Sequence, residues 1–383
     1  MATPLPPDHQ ALLTAPDEVE VAHLARGVVS AVAGPGGLSE LQALVLGAQF
    51  EALTGHSIDL AALEPIEPEE FAAGMARRNL AFRSRIVQQM LLGELILAPI
   101  PPEVSDRVTR FANALSVTDD LLGFTRRLSE GSLGLAAVDF DRNGYSADWD
   151  PMLAEERLGV AKPLADAWEQ SVDDPALAAR WASLGDLPDG TLGNGVWRLY
   201  RARGFEFPGS PGSAPPLLAQ HDWVHVLADF GTTLENELEV FGYIARANDD
   251  PRGFSLLAMV VSLFETGHLA TAAGLFEADT GHLSTRGMAT RLADASLRGA
   301  LTTGSNDFMA LDWFAIADRP LDVVRAEFGI PPKSAAAVAA GSVSAWEPGG
   351  ISPFQLRAGM AAAERDGRPY EAFGATVDGG PGR

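Results

Sequence analysis

The stretch HDWVHVLADFGTTLENE, residues 221–237, places two histidines and an aspartate within five residues, ahead of an acidic cluster. At about 100° per residue, a helix from Leu217 to Phe230 puts Leu217, His221, Val224, His225 and Ala228 on one stripe, with Asp222 on its flank. Glu237 lies sixteen residues beyond His221. That is roughly 160° away round a straight helix, so a single helix cannot unite the two. The sequence supplies a break. Gly231 offers a helix C-cap, and Thr232 with Glu235 reads as a capping box that opens a second helix, folded back by a tight turn. On that second helix Leu234, Leu238, Phe241 and Ala245 form the apolar stripe. Glu237 falls inside its edge, whereas Glu235 and Glu239 point outward.

This geometry has a chemical consequence. Two imidazoles at i and i+4 on one helix face are a common way to present nitrogen ligands to one ion. A carboxylate on an inward face needs a partner, because burying an unpaired charge is costly. Two neutral imidazoles, the carboxylates of Asp222 and Glu237, and one divalent cation sum to zero formal charge. His221, Asp222, His225 and Glu237 are therefore the candidate metal ligands and the candidate catalytic residues. Helical core histidines beside solvated carboxylates are the competing reading. The remaining histidines, His9, His23, His56, His268 and His282, have no such company in the sequence. Zinc suits this donor set, and so do iron and manganese.

The rest of the chain limits the chemistry further. At 383 residues, two domains are expected. No cysteine is present, which excludes disulfides, thiolate metal sites and cysteine nucleophiles. A net charge of −23 argues against a nucleic-acid partner, since phosphate binding needs clustered Lys and Arg. Only two lysines occur, Lys162 and Lys333, and the other basic residues are arginine. The N-terminal MATPLPPDHQ lacks the basic and apolar regions of a secretory signal. The most apolar run, FSLLAMVVSLF (254–264), is too short to span a bilayer and reads as a buried helix. A cytoplasmic protein is expected, with scope for peripheral contact at the inner face of the cell membrane.

Periodicity predicts an all-α fold. DEVEVAHLARGVVSAVA, LSELQALVLGAQFEAL and AFRSRIVQQMLLGELILA repeat apolar residues at three- and four-residue spacing, with breakers at 34–37, 64–70 and 98–103. Residues 1–125 read as a helical accessory domain, weakly similar to the tellurite-resistance TerB-like bundle but without that group's acidic turns. An acidic, glycine-rich linker follows over 126–154. Within it Asp139, Asp141, Asn143 and Asp150 fall at positions 1, 3, 5 and 12 of a calcium loop, with Gly144 at position 6. Ser146 at position 8 and the short Asp150 depart from that pattern, and an Asx-turn linker competes with it. A second helical domain is expected over 155–333, with one helix near 191–203. The Ala- and Gly-rich 334–383 reads as a loosely ordered tail.

HDWVH followed by Glu237 resembles the HDxxH-plus-glutamate signature of the coenzyme Q biosynthesis protein 4 family. LPDGTLGNGVWRLYRARGF (187–205) and DWFAIADRPLDVVRAEFGIPP (312–332) are similar to its flanking blocks. The resemblance implies an all-helical metal-binding domain in which His221, Asp222, His225 and Glu237 hold a divalent ion, usually zinc. It also implies a role in C1 decarboxylation and hydroxylation of a polyprenylated hydroxybenzoate, at the membrane and alongside other quinone-biosynthesis enzymes. The helix at 254–264 and LATAAGLF (269–276) are candidates to line an isoprenoid tunnel. Two other functions are weighed against this one: a metal-stabilised, non-catalytic scaffold for isoprenoid lipids, and an HD-type phosphohydrolase. The second of these lacks an upstream histidine near the motif.

Overall fold

The computed structural model describes residues 16–117, 122–123, 174–211, 213–214, 216, 218–247, 251–268, 280–302 and 307–377. Among these residues there are fourteen α-helices and no strand, so the fold is all-α. The calcium-loop candidates Asp139, Asp141, Asn143 and Asp150, and the run 269–276, lie outside the described residues.

The N-terminal helices form where the periodicity places them. They are α1 (Glu18–Val32), α2 (Glu40–Thr54), α3 (Pro68–Gly74), α4 (Leu80–Leu95) and α5 (Pro102–Ala114). Local chemistry fixes their starts. Asp17 caps α1, Ser39 and Gln42 form a reciprocal capping box on α2, and Asn79 caps α4. Prolines at the first turns of α3 and α5 begin helices without losing a hydrogen bond.

Downstream come α6 (Pro175–Ala182), α7 (Leu192–Arg203), α8 (Gln220–Leu227), α9 (Leu234–Ala247), α10 (Pro251–Phe264) and α11 (Met288–Leu301). Short helices α12 (Leu321–Glu327) and α13 (Ala335–Ala339) lead to α14 (Pro353–Arg365). Every residue from Asn236 to Ala245 on α9 is buried, which marks a central helix rather than a surface one. It packs against α10 and α11. The crossing with α11 is close because Gly299 has no side chain: a Cβ there would lie 2.2 Å from the Tyr243 carbonyl oxygen. The N-terminal helices join the same core. α2 packs on α11, where Gln49 donates to the Ser296 hydroxyl, and Arg85 of α4 donates to the Ala245 carbonyl of α9.

The tail differs from the sequence expectation. Residues 334–377 are not loosely ordered: Ala345, Ile351, Gln355, Ala362 and Ala363 are buried, and α14 packs along α7. Small residues read as low complexity here because they permit close backbone approach. A Cβ on Gly359 would lie 2.1 Å from the Ala202 carbonyl oxygen.

One buried acid makes stability depend on pH. Glu94 on α4 is fully buried, and neither carboxyl oxygen has a hydrogen-bond partner. Burial pushes its pKa from 4.5 up to about 7, with Ser105 pulling weakly the other way. Because the folded value is raised, the stabilisation is complete below the unfolded value and is lost as pH rises through the folded one. The change corresponds to about 3 kcal/mol across that window. Glu94→Gln should therefore come closest to the wild type in urea denaturation at pH 4 and exceed it at pH 8. Equal midpoints at both pH values would contradict this.

Candidate metal centre

The motif folds as two helices joined by a turn, with different boundaries from those expected. The first helix is α8, Gln220–Leu227, not Leu217–Phe230. It stops because Asp229 adopts a left-handed conformation, φ 67°, so Asp229 rather than Gly231 reverses the chain. Arginines satisfy the orphan carbonyls at its end. Arg325 donates to Val226 and Leu227 at 2.9 and 2.8 Å, and Arg298 donates to Ala228 at 2.7 Å. Gly231 instead permits close packing, since a Cβ there would meet Asn236 Oδ1 at 2.6 Å.

The capping pair is also displaced by one residue. Thr233 and Asn236, not Thr232 and Glu235, exchange side-chain and backbone contacts at the start of α9. Thr232 is buried and its hydroxyl accepts from Arg203. Two acids expected to face solvent do not. Glu239 is buried against Arg291 at 2.6 Å, and Glu235 pairs with His282 at 2.9 Å, so His282 does have company. Helix α9 is enclosed on all sides, which a single apolar stripe could not reveal.

The turn brings α8 and the start of α9 together. His221, His225 and Glu237 are buried, and one ligand atom from each lies within 4.8 Å of the others. His221 Nε2 is 3.3 Å from Glu237 Oε2, and His225 Nε2 is 3.3 Å from Glu237 Oε1. His221 Nδ1 donates to the Leu218 carbonyl, which leaves Nε2 to face the carboxylate, and the ring stacks on Phe241 with centroids 4.8 Å apart. Asp222 stands beside this group, with Oδ1 3.5 Å from His221 Nε2. Its Oδ2 accepts from the Tyr200 hydroxyl at 2.5 Å.

The electrostatics suit a cation. Burial alone pushes the His221 imidazole down, but Asp222 and Glu237 outweigh it and raise the pKa to about 9. Burial pushes Glu237 up, yet the two imidazoles bring it down to about 2. Burial raises Asp222, opposed by His221 and His225. In the absence of an ion, a proton on His221 supplies the positive charge these carboxylates require. His225 is the second indication. Both its ring nitrogens are buried and neither makes a hydrogen bond. The buried His221, His225 and Glu237 cluster can therefore hold a divalent ion.

No family model, curated protein or solved structure matches the chain.

Residues without an assigned role in the sequence complete the site. Tyr200 and Arg203 share one face of α7 at i and i+3 spacing, within the stretch RLYRARGF. Burial, then the Asp222 charge, holds the Tyr200 hydroxyl well above its ordinary pKa, so it remains a donor. A small pocket opens beside the cluster. His221, Asp222 and Glu237 line it together with Met259, Leu263 and Phe264 of α10. Among the described residues no helix is long and apolar enough to cross a membrane.

Proposed function

We propose that this chain is a metal-dependent enzyme acting on the head group of an apolar-tailed aromatic acid, through C1 decarboxylation and hydroxylation of a polyprenylated hydroxybenzoate. One observation carries the reading: the buried His221, His225 and Glu237 cluster opens onto an apolar-walled pocket. A carboxylate near the cluster and a chain along α10 would satisfy both halves of that pocket. The HDxxH-plus-glutamate spacing and its two flanking blocks support the same substrate class.

His221, His225 and Glu237 would hold the ion, with zinc, iron and manganese all suited to the donors. When bound there, such an ion would supply Lewis-acid stabilisation of developing negative charge. The Leu218 carbonyl fixes the His221 tautomer, and Phe241 fixes its ring plane. Asp222 lines the pocket with its affinity for a proton raised by burial, and it is positioned to exchange one with the head group. Tyr200 orients Asp222 by donating to one of its oxygens. The apolar wall of Met259, Leu263 and Phe264 restricts water near the reacting ring. Exchange of carboxyl for hydroxyl at C1 is a two-electron oxidation that balances as ArCO2H + O2 + H2O → ArOH + CO2 + H2O2, with dioxygen as oxidant, hydrogen peroxide as its reduced product and water as the source of the ring oxygen.

The test is to incubate metal-loaded protein with a prenylated 4-hydroxybenzoate derivative, with and without dioxygen, and to follow products by mass spectrometry. Loss of carbon dioxide in both arms, with ring oxygen gained only in the aerobic arm, is expected. Metal-loaded protein that binds the substrate without converting it would leave the lipid scaffold as the function. Protein that neither binds nor converts it would overturn the substrate class.

A further inference from the structure

The connection between α7 and α8 contains FPGSPGSAPP (207–216), a composition that suggests a loose loop. Its described residues are pinned instead. Phe207 stacks on Tyr200, with ring centroids 5.5 Å apart and planes 15° from parallel. Gly209 takes φ 92°, and a Cβ there would lie 2.4 Å from the Asp174 carbonyl oxygen. The Gly209 carbonyl accepts from the Asp174 backbone N–H at 2.8 Å. Two more backbone bonds carry this order onward, from Ser210 N–H to the Phe207 carbonyl at 2.9 Å and from Ser213 N–H to the Ser210 carbonyl at 3.1 Å. Ser213 is thus held in place from Tyr200, the residue that donates to Asp222.

Ser213 is 2 % exposed, and its hydroxyl has no hydrogen-bond partner among the described residues. It lines the same pocket as His221, Asp222 and Glu237. The other polar side chains there are committed. Asp222 accepts from Tyr200, Glu237 faces both imidazoles, and His221 Nδ1 donates to the Leu218 carbonyl. Glu206, which is more exposed, pairs with Arg365 at 2.8 Å. Met259, Val260 and Leu263 of α10 offer only apolar atoms to the pocket. Among the described residues that line it, Ser213 therefore carries the one buried polar group still without a partner. Leaving a buried hydroxyl unpaired is costly, and a ligand that supplies the partner removes that cost.

The chemistry of the hydroxyl narrows what that partner is. Serine is neutral and can both donate and accept. A substrate carboxylate would find its positive charge at the metal cluster, which leaves a neutral oxygen elsewhere on the ring for Ser213. A phenolic hydroxyl matches, because it also donates and accepts and is less costly to desolvate than a charge. We infer that Ser213 is a specificity residue: its hydroxyl hydrogen-bonds the phenolic oxygen of the aromatic head group, so that the pocket selects hydroxylated rings over rings without that group. The inference rests on the aromatic-acid function proposed for this pocket and adds to it the group by which the ring is recognised.

Isothermal titration of the full-length, metal-loaded protein with a geranylated 4-hydroxybenzoate, and with the matching geranylated benzoate that lacks the hydroxyl, tests it. The wild type should bind the hydroxylated ligand about tenfold more tightly, the worth of one neutral hydrogen bond. Ser213→Ala should reduce that preference by about the same factor. It should bind the ligand without the hydroxyl at least as tightly as the wild type does, because no unpaired group is then left against the ring. Any intrinsic difference between the two ligands is common to both proteins and cancels in this comparison. Ser213→Gly also removes the hydroxyl and decides the matter if the alanine variant does not fold. A purely structural serine would weaken both ligands together and leave their ratio unchanged, and that result would overturn the inference. Equal binding of the two ligands to the wild type would overturn it as well, while leaving the proposed substrate class standing. If neither ligand binds wild-type protein shown to carry its metal, the substrate class fails and the role of Ser213 falls with it.

Discussion

Protein purified without chelator or a histidine tag should carry close to one divalent ion per chain, and Glu237→Gln should lose it. Glu237 is the carboxylate facing both imidazoles, at 3.3 Å from each Nε2. Neutralising it removes the charge that offsets the cation, and the expected loss of affinity exceeds the roughly 100-fold typical of an outer-shell partner. His225→Ala should have the same effect on metal content. It should also destabilise the fold, because it empties a fully buried position. A ligand that binds only the folded chain stabilises it by about 4 kcal/mol at a thousandfold excess over its dissociation constant. Added zinc should therefore raise the melting temperature of the wild type and leave that of Glu237→Gln unmoved. At pH 7 metal binding should release close to one proton, because a His221 pKa of about 9 means the ion displaces a proton from that ring. Elemental mass spectrometry, thermal melts and titrations in buffers of different ionisation enthalpy measure the three effects. A wild type without metal, as stable as Glu237→Gln with or without zinc, would show that the cluster is only an imidazole–carboxylate pair in a helical core.

The helical character and the pairing of His221, His225 and Glu237 were legible because both depend on local spacing. Residues four apart share a helix face, and a glycine- and threonine-containing turn is a clear break in that spacing. Boundaries were less legible. The end of α8 depends on Asp229 taking a left-handed conformation and on Arg298 and Arg325 reaching its carbonyls from 70 to 99 residues away. No local pattern encodes such contacts. Glu239 was misplaced for a related reason. A helical wheel assumes one wet side, whereas α9 is covered all round and Arg291 from α11 neutralises the buried acid. The C-terminal segment was misread because Ala and Gly signal looseness by composition. Here they allow α14 and the preceding loop to approach α7 at backbone distance.

That segment carries the other large expected effect. Arg203 of α7 is wholly buried beneath the turn that joins α8 to α9. It donates to the Thr232 hydroxyl at 2.5 Å and to the carbonyls of Ala345 and Gly350, both at 2.9 Å. Gln355 of α14 closes the same network, donating to the Thr232 carbonyl at 2.6 Å. Arg203 thus joins α7, the inter-helix turn and the C-terminal loop at one point. Two terms decide the net effect of Arg203→Met. Burial lowers the arginine from 12.5 to about 10, which sets the penalty for keeping the charge inside. That penalty is about 3 kcal/mol. Three hydrogen bonds from a charged donor, each worth about 1.5–3 kcal/mol, exceed it. The variant should lose about 3 kcal/mol net, read as a lower urea midpoint. Its metal affinity should fall as well, because Thr232 no longer anchors the turn that carries Glu237 towards the histidines. Arg203→Lys should recover little of either, since a point charge cannot reach three acceptors in fork geometry. Truncation after Lys333 should produce the same pair of losses by removing the acceptors instead of the donor. If Arg203→Met keeps both its stability and its metal, the C-terminal segment does not hold the site together, and the arrangement of the cluster must come from α8, α9 and their arginine caps alone.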